Sequence, residues 1–195
     1  MKTEMIIVAN NGKGMDTALA ETDKTAELLG LTGKDALHLR LLAEEMMNMV
    51  RSIISQHVGQ YWIGATDQAV QLHLKTVTAI SSEQRAQLIS ASSKGKNEAH
   101  RGIMGKIRSF FEPMPGDETP AYFAAAIMSG GEEDLTWSMN AYREQLFRNK
   151  DMVSGAQEEW DELEKSLVSH LADEIKVSIH GVDVELVILK KLSHS

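Results

Sequence analysis

Leu37-His38-Leu39-Arg40-Leu41-Leu42-Ala43-Glu44-Glu45-Met46-Met47-Asn48-Met49-Val50 is the most strongly patterned stretch of the chain. Leu39, Leu42, Ala43, Met46, Val50, Ile53 and Ile54 recur at intervals of three and four, the spacing of one helix face. The pattern predicts a helix over about Lys34–His57, broken by Gly59. Residues four apart are offset by only about 40° around a helix axis. Leu37, Leu41, Glu44 and Asn48 therefore form a row of their own, opposite Leu39, Ala43, Met46 and Val50. That row is apolar at one end and polar at the other, whereas a solvated face would be polar throughout. It fits a helix whose far side is partly covered, with a carboxylate and an amide facing a cleft. The plainer reading leaves Glu44 and Asn48 in solvent and sets Leu37 and Leu41 against a neighbouring helix. Spacing alone favours the plainer one, because helix surfaces are commonly polar.

Working outward toward the N-terminus, Met5–Ala9 reads as a strand running into the turn cluster Asn10-Asn11-Gly12-Lys13-Gly14. Met15, Leu19, Thr22, Ala26 and Leu29 predict a helix that Gly30 stops. Toward the C-terminus, Gln60–Gly64 and Ala69–Val77 read as the strands of a hairpin. In the second, Val70, Leu72 and Leu74 point inward and Gln71, His73 and Lys75 outward. Ser81-Ser82-Glu83-Gln84 opens a helix toward Ser92, and another is expected from about Ala99, ending before Pro113. Pro113, Pro115 and Pro120 mark a loop. Helices over about Glu132–Asn149 and Ser154–Leu171 precede a terminal hairpin, Ile175–His180 with Val184–Leu189, turning at Gly181-Val182-Asp183. Strands separated by helices but closing in hairpins predict an α+β fold. The expected form is a two-layer α/β sandwich whose mixed, mostly antiparallel sheet carries helices on one face.

Composition sets the outer limits. A chain of 195 residues with 43% apolar and 25% charged residues is long enough for one cored domain and is not of disordered type. The net charge of −8 argues against general nucleic-acid binding, although Lys94, Lys96, Arg101, Lys106 and Arg108 form a local basic stretch. There is no cysteine, hence no thiolate nucleophile and no thiolate metal site. The histidines are dispersed without metal-ligand spacing, so zinc is not expected. The opening apolar run is too short for a signal-peptide core, and no segment approaches the roughly 20 apolar residues needed to cross a bilayer. The expectation is a cytoplasmic protein with no membrane partner.

Leu41-Leu42-Ala43-Glu44-Glu45-Met46-Met47-Asn48-Met49-Val50 resembles the asparagine-box helix of the GHKL ATPases, the gyrase, heat-shock chaperone, histidine-kinase and mismatch-repair group. It looks closest to the branch of the anti-sigma-factor serine kinases. The resemblance implies a Bergerat-type ATPase fold with Glu44 orienting or activating a nucleophile and Asn48 ligating the magnesium of a bound ATP. The order of elements is similar too, over about Met5–Phe111 and Ile175–Leu192. On this reading residues 1–195 form one domain, with 113–172 a loop and helical pair inserted before the closing hairpin. Ser92–Ile107 looks like an altered lid loop running into a glycine-containing helix start. Lys94, Lys96 and Arg101 would supply charge to phosphates, and Gly102 and Gly105 would let the backbone approach them. Glycines that ease helix packing and solvated lysines explain the same residues equally well.

The chain also departs from the family. The Asp-x-Gly-x-Gly box, whose Asp reads adenine, belongs just after the strand that follows the asparagine-box helix. Here that region is Leu74-Lys75-Thr76-Val77-Thr78-Ala79-Ile80, without Asp or Gly, and Asp67 stands at the wrong end of the strand. Thr76 or Thr78 could substitute only weakly. The resemblance thus implies a regulatory protein with altered or degenerate ATP binding. The alternative is a protein–protein interaction module that kept the fold, lost nucleotide and presents its inserted helices to a partner. An active serine kinase ranks last, and a homodimer stays open.

Overall fold

The computed structural model describes residues 1–53, 58–77, 134–149, 156–180 and 183–192. In chain order the elements are β1 (Ile6–Ala9), α1 (Met15–Leu28), α2 (Gly33–Ile53), β2 (Val58–Ala65), β3 (Ala69–Val77) and β4 (Asp134–Ser138). They continue with α3 (Met139–Asn149), α4 (Ala156–Lys165), α5 (Leu167–Leu171), β5 (Glu174–His180) and β6 (Asp183–Lys191). The six strands form one sheet in the order β1-β2-β3-β6-β5-β4. β1 with β2, β2 with β3, and β4 with β5 pair antiparallel. The α+β class is as expected, and the expected strands all lie in this one sheet.

The chain divides into two compact units. One comprises Met1–Thr76, Leu167–Ile175 and Glu185–Ser195; the other comprises Val77–Ser166 and Lys176–Val184.

In the first unit, alternation makes the sheet two-faced. Tyr61, Ile63, Val70, Leu72, Leu74, Leu186 and Ile188 are buried on the inner face, while their sequence neighbours are mostly partly exposed. The helices contribute Ala18, Leu39, Leu42, Ala43, Met46 and Val50 to the core, each with no exposed surface. α1 packs against β1, β2 and α2, and α5 packs against α2 as well. Met47 and Met49 are buried together with Met46, so the methionine-rich turn is core filler whose flexible side chains adapt to the space.

Local chemistry explains where these elements begin and end. Gly14 leads into α1 with φ 76°, and a Cβ there would lie 1.9 Å from the Ile7 carbonyl oxygen, so no larger residue fits between β1 and the helix start. At the other end Gly30 takes φ 68°, the Leu31 N–H donates to the Ala26 carbonyl at 2.9 Å and the Gly30 N–H to that of Glu27 at 3.0 Å. This is the left-handed closure that glycine favours. Residues 1–3 prolong the sheet alongside β2, with Thr3 N–H donating to the Ile63 carbonyl and Ala65 N–H to that of Met1, both at 2.9 Å.

The second unit holds β4, α3, α4 and most of β5. Trp137, Met139, Tyr142, Leu146, Leu163, Val177 and Ile179 form its buried cluster. Here the structure corrects the expected helix over about Glu132–Asn149. Asp134–Ser138 is a strand, with Leu135 opposite Ile179 and Trp137 opposite Val177. α3 starts only at Met139, where the Ala141 N–H donates to the Ser138 hydroxyl at 3.3 Å, a polar N-cap. Two further boundaries differ. The helix expected over Ser154–Leu171 is two, α4 and α5, parted at Ser166, whose N–H donates back to the Leu163 carbonyl at 3.2 Å. Gly59 is part of β2, opposite Val8, rather than a break before the strand. The helices expected over Ser81–Ser92 and from Ala99, and the proline loop, lie outside the described residues.

Candidate functional site

The burial of α2 leaves a narrow strip. Between Leu39 and Val50, Arg40, Leu41, Glu44 and Glu45 are partly exposed, Asn48 is exposed, and every other residue is buried. Leu37, at the head of the same row, is 55% exposed, so the row's apolar end is not covered. Glu44 and Asn48 thus stand one turn apart on the strip of the helix that core packing does not use. A side chain on a helix leans toward the N-terminus, which carries the Asn48 amide over the turn that holds Glu44.

Glu44 has a partner. Arg40, one turn earlier, donates from Nε to the Glu44 carboxylate at 2.8 Å and from Nη1 to the Asp23 carboxylate on α1. Asp23, Arg40 and Glu44 therefore form a chain of carboxylate, guanidinium and carboxylate between the two helices. The hydrogen bond it donates to Glu44, with the nearby charge of Asp23, raises the Arg40 guanidinium above its ordinary pKa, so it stays a full positive charge.

Thr76 is already committed. Its side chain is buried and its hydroxyl donates to the Val58 carbonyl at 3.2 Å, which leaves it unsuited to reading a nucleobase. Asp67 sits in the turn between β2 and β3, at the opposite end of β3 from Thr76. Thr78, Lys94, Lys96, Arg101, Gly102 and Gly105 lie outside the described residues.

A second cluster, on the outer face of the same sheet, escaped the sequence reading. Trp62 and His73 are cross-strand partners, and their rings stack at 4.7 Å with 10° between planes. Lys2, in the N-terminal segment that bridges β2 at Gly64, places its ammonium 5.2 Å from the Trp62 ring centroid. On the other side His73 Nδ1 bonds the Glu185 carboxylate at 2.8 Å. The row Lys2–Trp62–His73–Glu185 links a cation–π contact, a ring stack and a histidine–carboxylate pair across neighbouring strands. Trp62 is contacted by Lys2 on one side and by His73 of β3 on the other, so the row completes its own contacts. The signal for it in the sequence was the alternation that set His73 outward; the missing information was the register that puts Trp62 beside it.

Among the described residues no three His, Asp or Glu side chains gather as a metal site. Magnesium does not require such a group, because it retains water and commonly takes few protein oxygens when phosphate is bound. Also among the described residues, no helix is long and apolar enough to cross a membrane. Compared with known proteins, the chain matches no family model and no curated protein.

Proposed function

We propose that the chain is a cytoplasmic regulatory protein with a Bergerat-type, GHKL-like fold, akin to anti-sigma-factor kinases, that binds magnesium triphosphate weakly and with little preference for the base. One observation carries this reading: Glu44 and Asn48 stand a turn apart on the partly exposed strip of α2, beside a stretch from Leu39 to Val50 that is otherwise buried apart from Arg40, Leu41 and Glu45. An exposed side-chain amide outside the packing stripe is available as an oxygen ligand, which suits the octahedral preference of magnesium. Asn48 would hold the metal of a bound ATP and Glu44 would face the nucleophile. Lys94, Lys96, Arg101, Gly102 and Gly105 would line the phosphates. The strand–helix–helix–hairpin order at the start of the chain and the adjacent β5 and β6 at its end support the same reading. The buried, committed hydroxyl of Thr76 supports weak base discrimination, since a site without a hydrogen-bonding partner for the base cannot strongly reject the wrong one.

Calorimetric titration with Mg·ATP and Mg·GTP tests the proposal. The expected result is weak binding of both, within about threefold of each other, and lost in Asn48→Ala. Strong discrimination for ATP would mean that another residue reads adenine. Binding of neither nucleotide would favour the second reading, a protein-interaction module that lost nucleotide. That reading draws on a separate observation in the second unit: Phe147 is 59% exposed and pairs with Trp160 at 5.9 Å, an aromatic pair that core burial does not explain.

A further inference from the structure

If magnesium triphosphate sits at Asn48, the charged side chains within one turn of it on α2 are Glu44, Glu45 and Arg51, and Glu44 is ion-paired with Arg40 a further turn back. Residues four apart on a helix have Cβ atoms about 5–6 Å apart, so Glu44 is a direct neighbour of the bound anion. An isolated carboxylate there would repel it. The Glu44 carboxylate is not isolated, because the Arg40 Nε donates to it at 2.8 Å. Arg40 in turn is shared, its Nη1 being bonded to Asp23 on α1. The three charges sum to −1, and the single positive one is divided between two carboxylates. All three side chains are partly exposed, so their electrostatic influence on a neighbouring ligand is modest but real.

We propose that the Asp23–Arg40–Glu44 chain sets the triphosphate affinity of the Asn48 site, with Arg40 as the positioning residue that offsets Glu44 and Asp23 as the brake that draws Arg40 away. The inference rests on the magnesium-triphosphate reading of α2 and adds its regulation: α1, through one carboxylate, tunes a site on α2. Anything that neutralises Asp23 or displaces it from Arg40 frees positive charge toward the ligand.

The test uses the full chain, with Mg·ATP and Mg·tripolyphosphate as probes, in Asp23→Asn, Arg40→Gln, Arg40→Lys and Glu44→Gln. Asp23→Asn and Glu44→Gln should tighten binding and Arg40→Gln should weaken it, each by about three- to tenfold at low salt, with the differences shrinking as salt rises. Arg40→Lys should retain most of the wild-type affinity. These opposed signs separate the proposal from a structural role, under which every loss of an ion pair would weaken binding or change nothing. Asp23→Asn and Arg40→Gln both within twofold of wild type, while Asn48→Ala still abolishes binding, would overturn the inference and leave the phosphate reading standing. No wild-type binding of either probe would overturn the phosphate reading itself, and this inference with it.

Discussion

The inner and outer faces of the sheet in the first unit are held by different physics. The inner face is a volume problem: Tyr61, Ile63, Leu72 and Leu74 are buried beneath α1 and α2, and their stabilisation comes from area removed from water and from close packing. The outer face is a pairing problem. Lys2, Trp62, His73 and Glu185 each hold a named neighbour across a strand boundary, and all remain in part accessible to water. The difference teaches where substitution should hurt, and it separates what composition can reveal from what only register can.

The largest expected effect tests the inner face. Leu72→Ala or Met46→Ala should cost about 2–5 kcal/mol, since each removes a fully enclosed side chain and leaves a cavity. Urea unfolding of the two variants measures this. A loss below about 1 kcal/mol at both positions would mean that the inner face relaxes as a surface does, and the contrast between the faces would collapse.

Tyr61 probes the inner face through its one polar atom. Its hydroxyl lies 2.7 Å from Thr22 Oγ1, and the Thr22 hydroxyl in turn bonds the Ala18 carbonyl at 2.8 Å, so Tyr61 donates to Thr22. Burial pushes the phenol well above its ordinary pKa of about 10. The sign follows directly. The unfolded chain ionises first, so the contribution of Tyr61 is intact below about pH 10 and declines as pH rises beyond it, by about 1.4 kcal/mol at pH 11. Tyr61→Phe should cost about 0.5–1.5 kcal/mol at pH 7 from the lost hydrogen bond and should catch up with wild type by pH 11. A gap between the two that stays constant from pH 8 to 11 would contradict the burial argument.

On the outer face, Trp62→Ala and His73→Ala should each be milder than the core truncations. Their double-mutant cycle should show a coupling of about 0.5–1.5 kcal/mol, the range for a stacked aromatic pair. Zero coupling would reduce the stack to two side chains that happen to lie parallel.

The same contrast explains how much the sequence disclosed. The alternation Val70, Leu72, Leu74 predicted β3 over the residues it occupies, because one buried face imposes a period of two. Gly30 announced the end of α1, because the left-handed closure needs a residue without a Cβ. Asp134–Ser138 was hidden for the opposite reason. Its five residues run without a Gly or Pro directly into α3, so the helical pattern absorbs them, and the strand exists through its pairing with β5. At the candidate site, Glu44 and Asn48 were legible as a row on a helix. Arg40 was not, because its second partner, Asp23, comes from another helix, and no spacing along the chain reveals how α1 meets α2.

The smallest expected effect on stability is at that site. Asp23, Arg40 and Glu44 form no part of either face of the sheet, and each is about one-third to one-half exposed. Ion pairs this accessible exchange hydration for Coulomb energy at nearly even terms and contribute about 0–1 kcal/mol. Asp23→Asn and Arg40→Gln should therefore shift the urea midpoint by the equivalent of about 0.5 kcal/mol or less, and less again in high salt. That indifference makes the strip useful for function: side chains there can be matched to a ligand without disturbing the packing beneath them. Were either substitution to cost as much as Leu72→Ala, the chain of charges would belong to the core as a structural tie between α1 and α2. The opposed affinity changes expected of a tuning device would then be absent as well.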